Sequence, residues 1–176
     1  MAEAERDMQP VDCAIIHNIY DNGSAREHFE FELDQALEAR RNIIIIEPAH
    51  LGDETARWIT VGNCLHKTSV LSGMACLVAP ALLPHQAVNF ITFPTGTVSV
   101  ACALLYGVSW QSDPCCKYQV EYDTRNLSRL PLHSLTTATP VVLVRKDDKY
   151  RKALHNFVAG LAAALLAYKV YQWCIR

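Results

Sequence analysis

A chain of 176 residues with 51% hydrophobic and 19% charged residues is too apolar for an ordinary soluble domain and too polar to lie wholly within a bilayer. The formal charge of −2 hides a division: residues 1–67 carry 13 acids and 6 bases, residues 113–176 carry 5 acids and 10 bases, and residues 68–112 carry none. Seven cysteines at irregular spacing, without a C-x-x-C pair, exclude a disulfide-stapled secreted fold.

Met1 to Asp12 is acidic and has no apolar core, so it is not a signal peptide. It also lacks the Arg-rich, acid-poor character of a cleavable mitochondrial presequence, which leaves any targeting to internal segments. Val11 to Tyr20 is apolar and rich in β-branched residues, and it ends at Asp21-Asn22-Gly23. This pattern predicts a strand and a turn. Ser24 and Glu27 have the spacing of a capping box, and Ala25, Phe29, Leu33, Ala36 and Leu37 share one helical face. Phe31 falls off that face. Ile43 to Ile46 is an unbroken run that suits a strand covered on both sides. Strand, helix and strand together predict a right-handed parallel βαβ unit.

Gly52-Asp53-Glu54 is expected to open a second helix, with Asp53 as its N-cap. That helix should run into the membrane, with Arg57, Trp58, His66 and Lys67 as interfacial anchors. The stretch from Thr68 to Ser112 is 45 residues long without Asp, Glu, Lys or Arg. One charge at mid-membrane costs about 2.5–3.5 kcal/mol, and one span takes about 20 residues. Two spans are therefore expected, over residues 64–83 and 90–110, with Pro80 and Pro84 breaking the first and Pro84 to Asn89 forming the turn. Tyr106 and Trp110 fall at an aromatic belt position.

Beyond Asp113-Pro114, Lys117 to Tyr122 alternates as a half-buried strand, and Val141 to Val144 reads as a buried one. A loop containing Leu130-Pro131-Leu132 separates them. The final apolar segment, Leu154 to Tyr168, is short for a span and is interrupted by Lys169. An interfacial helix, a third span and packing on the soluble part are all open readings. A hairpin returns the chain to its starting side, so the acidic and basic flanks can fold together. The expected architecture is a membrane protein: an α-helical transmembrane hairpin inserted between two halves of a small α/β domain. The halves are residues 1–63 and 113–152, around a hairpin at 64–112 and before an apolar helix at 153–176.

Thr95, Ser99, Ala103 and Gly107 recur every four residues, a ribbon that lets another helix approach closely. It packs the two arms on each other, or it associates with a second chain, including another copy of this one. Arg145, Lys146, Lys149, Arg151 and Lys152 precede the last apolar segment and are candidates for contact with anionic lipid, cardiolipin included. A solvated face partly neutralised by Asp147 and Asp148 is the plainer alternative. Cys115-Cys116 is a poor metal pair and reads as half-buried thiols, with lipidation or oxidation as alternatives. Walker A, G-x-G-x-x-G, H-E-x-x-H and G-x-S-x-G motifs are absent from the sequence. His17, His28, His133 and His155 are scattered, and His50 with Asp53 and Glu54 is a weak acid/base cluster better explained by capping. No catalytic residue, metal site, cofactor or nucleic-acid partner is expected.

Several blocks resemble a known family. They are Ile46-Glu47-Pro48, Gly52 through Trp58 to Thr68, Asp113-Pro114-Cys115-Cys116 to Asp123, Leu127 to His133 and Thr139 to Asp148. Together they resemble the transmembrane protein 11 family of mitochondrial membrane proteins, from about residue 12 to residue 156. The resemblance implies a non-enzymatic, multi-pass protein, usually of the inner membrane, needed for mitochondrial shape and cristae organisation. It also implies association with the cristae-organising (MICOS-type) complex. An outer-membrane placement with mitophagy-receptor partners is the alternative it carries, and a membrane-tethered enzyme or carrier is a more remote one.

Overall fold

A computed structural model describes residues 12–17, 24–123, 127, 140–146 and 148–175. These residues fall into two compact units. One holds the described residues up to Ile59 and from Lys117 to Lys146, the other Thr60–Cys116 and the described residues beyond 147.

The first unit is built on a four-stranded sheet. Strand β1 (Cys13–Ile16), helix α1 (Ala25–Glu38) and strand β2 (Ile43–Ile46) form the expected βαβ unit, with β1 and β2 parallel from Cys13↔Ile43 to Ile16↔Ile46. Strands β3 (Tyr118–Val120) and β4 (Val141–Arg145) come from the other flank, and the order across the sheet is β1-β2-β4-β3. β4 runs antiparallel to both of its neighbours, so the sheet is mixed. Ile44, Ile45 and Ile46 are fully buried although consecutive side chains point to opposite faces. That is why this segment carries no alternation: β2 lies inside the sheet and both of its faces are covered.

Helix α1 buries Phe29, Leu33, Ala36 and Leu37, and Phe31 projects into solvent. The expected capping box at its start does not form, because Ser24 makes no side-chain cap hydrogen bond. The helix ends at Arg40, whose φ of 54° is left-handed. Arg40 N–H donates to the Leu37 carbonyl and Arg41 N–H to the Ala36 carbonyl, satisfying the last turn. Such a conformation is costly for a residue with a Cβ. Here the turn is held by two donors from the other flank: Arg145 bonds the Arg40 carbonyl at 3.2 Å and the Tyr118 hydroxyl bonds the Arg41 carbonyl at 2.7 Å.

Helix α2 begins at Ala49, earlier than Gly52-Asp53 suggested, so Asp53 lies inside the helix and is not its cap. Pro48 ends the β2 segment, and Gly52 N–H already donates to the Pro48 carbonyl. Gly52 sits where α2 crosses the sheet: a Cβ there would lie 2.9 Å from Val141 Cγ2 and 3.2 Å from Ile46 Cγ2. The glycine that looked like a helix opener is a close-approach residue.

The second unit is helical. It takes α2 from Thr60 to Leu82, α3 (His85–Ser109), a short 3-10 turn (Pro114–Lys117) up to Cys116, and α4 (Lys149–Ile175). Pro80 does not break α2, which continues to Leu82, and Pro84 serves as the N-cap of α3. Lys169 does not interrupt the last helix either, since α4 runs unbroken for 27 residues. Among the described residues three helices, Ala49–Leu82, Ala87–Ser109 and Lys149–Ile175, are long and apolar enough to cross a membrane. The segment containing Leu130-Pro131-Leu132 and His133 lies outside the described residues.

Candidate functional site: a small-residue helix bundle with a polar end

The interior of the helical unit is built from small and hydroxyl-bearing side chains. Along α2 the buried positions are Gly62, Ser69, Gly73, Cys76 and Ala79, at helical spacing. Along α3 they are Val88, Thr92, Gly96, Ser99, Tyr106 and Trp110. Along α4 they are His155, Val158 and Ala162. Large apolar side chains face outward instead: Leu71, Phe90, Leu104, Val108 and Phe157 are all exposed. This inversion is what a hydrocarbon solvent permits, since packing and close backbone approach hold such helices together.

A reciprocal pair of hydrogen bonds joins α2 and α3. Ser69 Oγ donates to the Ser99 carbonyl at 3.0 Å, and Ser99 Oγ donates to the Ser69 carbonyl at 2.8 Å. Both residues are fully buried. Gly73 and Gly96 make room on either side. A Cβ on Gly73 would lie 2.6 Å from Val158 of α4, and one on Gly96 would lie 2.8 Å from Leu166 of α4 and 2.9 Å from Cys76 Sγ. Gly62 is likewise covered by the Trp110 ring, 2.5 Å from where a Cβ would be.

Of the proposed ribbon, Ser99 is at this contact, whereas the Thr95 hydroxyl donates to the Ile91 carbonyl of its own helix at 2.6 Å. Ala103 and Gly107 are half-buried, and a Cβ on Gly107 would meet only the Gln111 side chain at 3.7 Å. Gly96, one residue from the four-residue repeat, was missed. A strict spacing of four drifts around a helix of 3.6 residues per turn, so the buried face moves from Ser99 to Tyr106 and not to Gly107. Gly73 forms only a single four-residue step with Ser69, and Gly62 signals itself only as a glycine inside a helix.

One end of the bundle is polar. His66 of α2 and His155 of α4 meet Nδ1 to Nδ1 at 3.2 Å, with stacked rings 5.2 Å apart. The Tyr106 ring of α3 lies 4.8 Å from that of His155. Arg151 lies one turn before His155 on α4 and is half-buried. Below this layer Tyr106, Trp110 and Cys116 form a buried cluster closed by Leu65. Burial, with Asp113 adding to it, pushes the Cys116 thiol up to about 11. It is therefore an inert thiol at neutral pH. Cys115 N–H donates to Asp113 Oδ1, which fixes the turn between α3 and Cys116. At the other end, Lys169 Nζ donates to Asn89 Oδ1 at 3.1 Å, joining α4 to the start of α3.

The five bases before the last helix are used differently. Arg145 is a β4 residue tied to the Arg40 carbonyl. Lys152 pairs with Asp148 at 2.9 Å, and both are largely buried. Arg151 is half-buried, whereas Lys146 and Lys149 are exposed. In the sheet unit His17 Nδ1 donates to Glu47 Oε2 at 3.0 Å, with Glu47 buried and the imidazole open. His50 lies against Glu54 on α2. A cavity of about 290 Å³ between β1 and α1 is lined by Ile16, Glu32, Gln35 and Arg41, and none of His17, His50, Asp53 and Glu54 lines it. Arg41 pairs with Asp12, which raises its pKa. Among the described residues no group of three or more His, Cys, Asp or Glu side chains is placed to hold a metal ion.

A mixed sheet from two flanks and a set of apolar helices with hydrophilic ends define a membrane protein of more than one candidate span. The comparisons give its kind. Residues 12–171 match the family described as mitochondrial morphogenesis regulator. The chain is 59% identical to transmembrane protein 11, mitochondrial, of Danio rerio, over 94% of this chain and 88% of that one. The same protein of Bos taurus is 59% identical over 95% and 87% of the two chains, and that of Homo sapiens 59% over 94% and 86%. No solved structure matches. The chain belongs to the mitochondrial morphogenesis regulator family and is a mitochondrial membrane protein.

Proposed function

We propose that this protein organises mitochondrial membranes without catalysing a reaction, and that it shapes cristae through protein and lipid contacts. The observation that carries the reading is the helical unit itself. It turns small residues inward and large apolar ones outward, and it belongs to a family described by morphogenesis. An assembly element needs such a rigid, lipid-facing bundle, whereas an enzyme needs convergent polar groups in a cleft.

In this reading α2, α3 and α4 all cross the bilayer. The sheet unit is the aqueous part, and the hairpin of α2 and α3 is inserted between its two flanks. The inner membrane is the proposed location, with the cristae-organising complex as partner and cardiolipin among the lipids. A second copy of the chain is a further candidate partner. Cells lacking the chain are expected to show enlarged or misshapen mitochondria with disordered cristae. Re-expression of the intact chain should restore them, and an unchanged ultrastructure in the null would overturn the reading.

An outer-membrane adaptor for mitophagy receptors is the competing reading, and protease protection separates the two. Digestion of the sheet unit in intact organelles would place the protein in the outer membrane. Protection until that membrane is ruptured supports the inner one.

A further inference from the structure

Arg151 is out of place for a residue on the way into a membrane helix. It is half-buried, and the carboxylate of Asp148, three residues earlier, forms its ion pair with Lys152 at 2.9 Å. Among the described residues no carboxylate lies within ion-pair distance of its guanidinium. Its Nε has no partner, and neither does Nε2 of His155 one turn along the same helix face. His155 is 1% exposed. A cation and a ring nitrogen withdrawn from water without partners are expensive unless something negative completes them.

The position says what that something is. Arg151 and Lys169 bracket the apolar stretch of α4 and stand eighteen residues apart. That is about 27 Å at 1.5 Å per residue, close to the roughly 30 Å of a hydrocarbon core. With Lys169 fixed to Asn89 at one edge, Arg151 lies at the other, level with the headgroups. The start of α4, at Lys149, adds the positive end of the helix dipole beside it. Of the anions found at that depth, the lipid phosphate is the abundant one.

We propose that Arg151, with His155 and Tyr106, forms a site for the phosphate of one anionic phospholipid at the polar end of the helix bundle. Arg151 supplies the charge-assisted donors and the orphaned imidazole nitrogen of His155 a further hydrogen bond. The phosphate replaces the carboxylate that Arg151 lacks. This rests on the spanning arrangement of the three helices and not on a role in morphogenesis. It also narrows the five-base segment to one base.

The test uses the full chain in detergent, with phosphatidylglycerol as the probe and bound lipid read by native mass spectrometry. Arg151→Gln is expected to lower lipid retention about tenfold, more than the loss for one base in a diffuse field. Lys146→Gln and Lys149→Gln should each change it less than about twofold. Arg151→Lys, which keeps the charge, should recover most of the retention. Equal losses in the Arg151, Lys146 and Lys149 variants would overturn the site in favour of a diffuse field. Equal losses in Arg151→Lys and Arg151→Gln would mark a folding defect and overturn it too. Displacement of the lipid by equimolar inorganic phosphate would overturn the lipid as ligand. Alkaline carbonate extraction of the same membranes separates the two layers: a chain washed off fails the spanning arrangement, and a chain that stays but ignores Arg151 fails only this inference.

Discussion

The sheet unit and the helical unit bury opposite kinds of residue. In the sheet unit the centre is Ile44, Ile45, Ile46, Val142 and Leu143, all almost fully buried. In the helical unit the fully buried positions include Ser69, Cys76, Ser99 and Ala162, and the bulky side chains point out. The first arrangement is driven by removing apolar area from water, at about 25 cal/mol per Å². The second cannot be, because lipid is as apolar as leucine, so it relies on close approach and interhelical hydrogen bonds. The same chain thus carries two definitions of a core, and the residue types tell which solvent each unit is built for.

Mutations should break this contrast in a fixed order. Ile45→Ala is expected to cost the sheet unit about 2–5 kcal/mol, as truncation in a well-packed core does. Hydrogen exchange of the β2 and β4 amides would show it, with the amides of α3 unchanged. Gly73→Ala adds one methyl group where Val158 and Ser99 stand within 2.7 Å of its position. Overpacking there should cost about 1–3 kcal/mol, seen as a lower melting temperature of the helices in detergent. In the sheet unit a small residue is the damage; in the helical unit a small residue is the design.

Cys116 sharpens the contrast through pH. Its folded pKa of about 11 lies above the ordinary thiol value of 9.0. The unfolded chain therefore gives up the proton first. The contribution is complete below pH 9 and is lost as pH rises through 11. Alkaline titration of helix content should show a loss in that window that Cys116→Ala removes. Ser69→Ala should cost only about 0.6 kcal/mol, the average for an interhelical hydrogen bond in a membrane. Leu104→Ala, on an exposed face, should change stability by about 0.5 kcal/mol or less in lipid. The same truncation at Leu143, buried in the sheet, should be several times worse.

Sequence patterns conveyed the sheet unit well. The isoleucine run and the apolar face of α1 became a parallel pair with a crossover helix, because water enforces a period of 2 or 3.6 on apolar residues. The mixed direction of β4 was not legible, since pairing β2 with β4 across the 94 intervening residues leaves no local signal. Charge-free length placed the ends of the first two long helices within a residue, at Leu82 and Ser109, but not the start of α2, which lies at Ala49, fifteen residues before the expected span. It misjudged α4, where Lys169 looked like an interruption. Its Nζ instead finds Asn89, and the helix keeps its apolar face past it. The polar end of the bundle was the least legible. His66, Tyr106, Arg151 and His155 come from three helices and share no motif, and only packing brings them together. In the sequence His155 stands as one of several scattered histidines. The ribbon repeat found Ser99 but passed over Gly96 and Gly73, because a small residue announces contact only when its partner helix is known.

In the proposed arrangement α2, α3 and α4 are three spans, which would put the sheet unit and the end of α4 on opposite sides of one membrane. Two single-cysteine variants test it directly in isolated mitochondria and mitoplasts, one keeping only Cys174 and one carrying Glu30→Cys on the exposed face of α1. A membrane-impermeant maleimide should reach the two sites from opposite sides, each at a different stage of membrane rupture. Labelling of both at the same stage would reduce the bundle to two spans and contradict the account.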